Sequence, residues 1–72
     1  MPIARVTEIS ATSEQSLEDA INAGIERATS TLRNVQSAWV KDMNVFIEND
    51  QVKAYKVNLA ITFVLEDSEE IS

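Results

Sequence analysis

The sequence predicts an α+β fold in the order β-α-β-β, and three observations carry that expectation. The stretch from Val52 to Leu65, VKAYKVNLAITFVL, places large apolar residues at every odd position from Tyr55 (Tyr55, Val57, Leu59, Ile61, Phe63, Leu65), the period of two of a strand with one apolar face. Leu17, Ala20, Ile21, Gly24, Ile25, Ala28 and Leu32 recur at spacings of three and four, one stripe of an amphipathic helix. Between two strand-like runs stands Asn49-Asp50, a pair that tolerates the positive φ of a tight hairpin turn.

Taken in order, Ile3 to Ser10 reads as a first strand, with β-branched Ile3, Val6, Thr7 and Ile9 interleaved with Arg5 and Glu8. Ala11 to Gln15 is the expected connection. Thr12 or Ser13 is the expected N-cap, with Gln15 completing a capping-box spacing from Thr12. Glu14, Glu18 and Asp19 put negative charge at the positive end of the helix dipole. The helix should then run from about Ser13 to Leu32, stopped near Arg33 and Asn34. Gly24 is the chain's single glycine and falls inside the apolar stripe, where it costs about 1 kcal/mol relative to Ala. Close packing of the helix on the sheet is the preferred explanation, over backbone access for a ligand. Val35 to Glu48 reads as a second strand, Asn49, Asp50 and Gln51 as the turn, and Val52 to Leu65 as a third strand paired with the second. The even positions of that third strand mix Lys56, Asn58 and Thr62 with Val52, Ala54, Ala60 and Val64, a face that is neither an ordinary solvent face nor a core.

At 72 residues the chain is expected to form one domain, residues 1–72, with Glu66 to Ser72 a flexible acidic tail. A domain this small buries only about 60% of its unfolded surface and needs help from disulfides, metals or oligomerisation. The absence of Cys and His excludes the first and makes thiolate or imidazole metal sites unexpected, so self-association remains. Lengths point the same way: a strand of about fourteen residues spans roughly 46 Å, a helix of about twenty only roughly 30 Å. One helix cannot cover such a hairpin, and Trp39, Met43, Phe46 and Val64 are candidates for the uncovered surface.

The formal charge of −6, with twelve acidic and six basic residues, disfavours nucleic acid as a partner. Neither a signal-like start nor an apolar run long enough for a membrane span is found, so a soluble cytoplasmic protein is expected. Catalytic chemistry is poorly supplied. Serine nucleophiles lack a His base, and although Lys41, Lys53 and Lys56 could serve in principle, no Ser-x-x-Lys spacing falls near a helix start. Glu66-Asp67 and Glu69-Glu70 are what random spacing gives in an acidic chain, and Glu48-Asn49-Asp50 lacks the spacing of a calcium loop. Carboxylates gathered on a symmetry axis by several copies would escape such reasoning, so metal binding stays open. Trp39, in SAWVKDM, is either a core or interface filler or a flat surface for stacking a planar ligand.

SATSEQSLEDAI at the strand-to-helix junction, IERATSTLRN at the helix end, the position of the hairpin, and YKV followed by TFVLED occur in an order and spacing that resemble the dodecins over about Ile3 to Asp67. That resemblance implies a β-α-β-β protomer whose three-stranded antiparallel sheet partly wraps one helix, assembled into a hollow homododecamer that is not an enzyme. It also implies flavin (riboflavin or FMN) as cofactor, held by a Trp on the second strand and a Gln directly after the Tyr of the third. In an ungapped alignment those places hold Ser37 and Lys56. Trp39 returns to the face of Ser37 displaced by roughly 6.6 Å, and Lys56 donates a hydrogen bond but cannot accept one from an imide N–H. The resemblance therefore implies small-ligand binding and storage with the usual flavin clamp absent or altered. Flavin storage through Trp39 and Lys56, and a structural or ion-buffering shell without an organic ligand, are the alternatives.

Overall fold

The computed structural model describes residues 3–65, so the acidic tail expected over Glu66 to Ser72 lies outside the described residues. Four elements follow in order: β1 (Ala4–Ser13), α1 (Leu17–Thr31), β2 (Val35–Glu48) and β3 (Gln51–Val64). The strands form one antiparallel sheet in the order β1-β3-β2. The strand with the strongest apolar alternation is thus the central one, and β1 and β2 are its two edges.

The junction between β1 and α1 departs from expectation. Ala11, Thr12 and Ser13 do not connect strand and helix; they continue β1, paired with Val57, Lys56 and Tyr55. Neither Thr12 nor Ser13 caps the helix. The cap is Ser16, whose hydroxyl accepts from the Asp19 N–H at 2.9 Å. Buried Ser13 instead organises the preceding turn, accepting from the N–H groups of Gln15 and Ser16 and donating to Asp19 Oδ2 at 2.7 Å. Two serines three residues apart compete for the same role, and the ladder to β3 decides it by holding Ser13 in the strand. Consequently α1 starts at Leu17, four residues later than the start expected from the cap at about Ser13. It ends at Thr31, capped by Leu32 with its N–H on Ala28 O, and Asn34 supplies the positive φ (59°) of the stop.

At the other end, Asn49 and Asp50 both have positive φ (54° and 63°), the conformation of a two-residue hairpin turn. Gln51 belongs to β3 rather than to the turn. No glycine is needed, because both side chains tolerate the left-handed region.

α1 lies on one face of the sheet. Val57, Leu59 and Ile61 of β3 are fully buried beneath Ala20 and Ala28, with Ile9, Ala11, Leu17, Ile21, Ile25, Leu32, Val35, Ala38 and Val40 packed around them. The predicted odd face of β3 is therefore the core. Gly24 explains the closeness of the contact: a Cβ there would stand 2.8 Å from Leu59 Cδ1 and 3.3 Å from Ala11 Cβ. The molecule is 57 Å long, whereas fifteen helical residues cover only about 22 Å. Beyond the helix, Met43, Val45, Phe46, Ile47 and Val52 of the hairpin are exposed; Val64, expected among the uncovered residues, is half-buried beside Ala4.

Candidate functional site

The face of the sheet turned away from α1 is arranged in rows, one residue from each strand. From one end these are Val6, Thr62 and Ser37; Glu8, Ala60 and Trp39; Ser10, Asn58 and Asp42; Thr12, Lys56 and Asn44. The even positions of β3 run through their middle. Ala60 and Ala54 are buried there despite facing outward, since a methyl group hardly rises above the backbone. Trp39, flanking Ala60, is 71% exposed.

β2 reaches this face irregularly. One bulge lies between Val35 and Ser37 and another between Val40 and Asp42, so Gln36 and Lys41 are extra residues with no opposite number on β3. Without the second bulge, alternation would send residue 41 to the face of Trp39 and residue 42 back to the helix side. With it, both Lys41 and Asp42 serve the open face. Lys41 crosses the central strand and donates to Glu8 Oε2 at 2.9 Å. That hydrogen bond, followed by the Coulombic attraction of the same carboxylate, raises the lysine's pKa, so it stays protonated well into alkaline conditions. In the next row Ser10 Oγ donates to Asn58 Oδ1 at 2.6 Å and Asn58 Nδ2 donates to Asp42 Oδ1. Two hydrogen-bonded lines thus span all three strands beside the indole.

Of the residues singled out in the sequence, Ser37 and Trp39 are neighbours on this face, in adjacent rows. Ser37 also borders a groove of about 300 Å³ between α1 and β2, lined by Ile25, Ala28, Val35 and Ala38 among others. Lys56 shares the face but stands four residues along β3 from Ala60, roughly 13 Å from the Trp39 row. Within one protomer the Lys56 row and the Trp39 row are separated by the Asn58 row. Half-buried Lys56 has no ion-pair partner among the described residues. Sequence reasoning missed Glu8, Ser10, Asp42 and Asn58 and saw Lys41 only as a conceivable base. Their convergence needs the strand order and the bulge, neither of which is readable from spacing. Among the described residues no group of three or more acidic side chains could hold a metal ion, and no helix is long and apolar enough to cross a membrane.

A β-α-β-β protomer with one sheet face under its helix and an exposed indole on the other is a small α+β protein with an open sheet face. The dodecin family model matches residues 3–66, and the chain belongs to the dodecin family. It is 41% identical over 61 residues to the dodecin of Thermus thermophilus, covering 85% of this chain and 88% of that protein. The crystal structure of an arginine-to-alanine variant of the Thermus thermophilus dodecin superposes with a TM-score of 0.86 at 38% identity, over 92% of this chain and 98% of that one. The Streptomyces coelicolor dodecin gives 0.85 at 34% identity, over 90% and 93%. Dodecins are small flavin-binding proteins that form dodecamers.

Proposed function

We propose that this chain is a non-enzymatic binding and storage protein for a small planar ligand, assembled as a homododecameric shell, with the family's flavin clamp altered at Ser37 and Lys56. The observation that carries this reading is Trp39: an indole 71% exposed, with only the methyl group of Ala60 opposite it on the central strand. An aromatic platform in an open polar trough suits a flat heterocycle, and base-on-aromatic stacking contributes about 1–3 kcal/mol per ring. Flavin, as riboflavin or FMN, is the ligand to which family membership points. Self-association is supported by the bare hairpin, where Met43, Phe46, Ile47 and Val52 stay exposed beyond the end of α1.

Trp39 is the chain's single Trp, so its emission reports on the site alone. Riboflavin titrated into the protein should be quenched and should quench the indole in turn. Trp39→Ala should weaken binding by about tenfold or more, followed through flavin emission. Light scattering on the same samples should give the mass of twelve chains. Unquenched flavin at tens of micromolar protein would end the flavin reading.

A further inference from the structure

We propose that Glu8 and Lys41 act as one unit that reads the edge of the ligand stacked on Trp39, selecting heterocycles in which a carbonyl oxygen adjoins a ring N–H. This rests on the reading of Trp39 as the platform and names the ligand class that platform accepts: cyclic imides and amides.

The geometry starts from a row. Glu8, Ala60 and Trp39 lie opposite one another on three adjacent strands, so the backbones of Glu8 and Trp39 are roughly 10 Å apart at about 4.8 Å per strand. Opposite both on β3 stands only the methyl of Ala60, with the Lys41 stem crossing beside it to Glu8. The far side of that row ends in a hydrogen-bond donor beside an acceptor, Lys41 Nζ and Glu8 Oε2 at 2.9 Å. An imide edge carries the inverse pattern, acceptor beside donor.

The pair also has capacity to spare. An ammonium has three N–H donors and a carboxylate about four acceptor positions, of which this ion pair uses one each. Both side chains are well exposed, at 42% and 62%, so the remainder faces solvent or ligand. The neighbouring row is more self-contained: the Asn58 carbonyl accepts from Ser10 and its amide donates to Asp42. Lys41 keeps the face of Trp39, and the bulge at this point turns its neighbour Asp42 to the same face. The lysine's raised pKa keeps the donor charged across the neutral range. A stacked ring would further exclude water from the pair and strengthen its hydrogen bonds.

The experiment compares riboflavin with N3-methylriboflavin, which keeps both ring carbonyls and lacks the imide N–H. Wild-type protein should bind riboflavin about tenfold more tightly, the scale of a hydrogen bond to a charged group. Glu8→Ala should bring the two ligands within about twofold. Glu8→Gln should keep much of the preference, because an amide oxygen still accepts although the ion pair is gone; a merely structural ion pair would not be rescued in this way. Lys41→Met should weaken both ligands alike, since the carbonyl is common to them. Equal affinity of the wild type for both ligands, or a preference that survives Glu8→Ala, overturns the edge reading and leaves Trp39 as platform intact. Failure of both ligands to bind overturns the platform and the edge reading together. Circular dichroism and light scattering of each variant separate loss of fold from loss of recognition.

Discussion

Val57, Leu59 and Ile61 of β3 are wholly buried under α1, while Lys56, Asn58 and Thr62, each one residue away on the same strand, look out into polar rows. Both faces contain buried residues, but for different reasons. On the helix side, large side chains are covered by other elements. On the open side Ala54 and Ala60 are buried because they are short, which lowers the floor beside Trp39. The first face stores stability and the second stores shape.

The largest test of that division is a pair of truncations. Leu59→Ala should cost about 3–5 kcal/mol, because it combines lost burial with a cavity under Gly24 that the close helix contact cannot collapse. Trp39→Ala removes a larger side chain yet should change stability by less than about 0.5 kcal/mol, as an exposed position does. Urea unfolding of both variants measures the contrast, and equal losses would abolish it. Gly24→Ala probes how rigid the buried face is. A Cβ there gains about 1 kcal/mol of helix propensity but overpacks against Leu59 and Ala11, typically at 1–3 kcal/mol. A net loss of about 1 kcal/mol is expected; a gain would show that α1 can lift from the sheet. The smallest effect belongs to the open face. Lys41 has a folded-state pKa raised by Glu8, so the pair's contribution is fully present below the unfolded lysine value and is lost as pH rises through the raised one. The stability difference between wild type and Lys41→Met should therefore be flat across neutral pH and vanish only under strongly alkaline conditions.

How far the sequence foretold these two faces follows from what each is made of. The buried face rests on periodicity, and the alternation from Tyr55 to Phe63 with the stripe from Leu17 to Leu32 identified both sides of the core. β2 was read with its bounds intact, since Asn34 and Asn49 mark its ends with positive φ. The helix start was misplaced because Ser13 and Ser16 carry the same capping chemistry, and only the pairing of Ser13 with Tyr55 separates them. The open face was less legible. Ser37 and Trp39 were placed correctly on one face by simple alternation, but Glu8 and Lys41 are 33 residues apart and meet across a third strand through an extra residue. Period-two reasoning assigns Lys41 to the right face but sends Asp42 to the helix side, whereas the bulge brings it to the same face as Lys41.

The strand order has a further consequence for how the site comes into being. β2 and β3 close through the two-residue turn at Asn49-Asp50, a local step with little loop entropy. β1 must return across the whole of α1 and β2 to reach the far edge of β3, and its ladder repays that longer closure only once β3 offers a partner. Trp39 and Lys41 lie on the hairpin and Glu8 on the returning strand. Carboxylate and ammonium meet only in a chain that has finished folding, so the edge beside the indole is withheld from partly folded protomers.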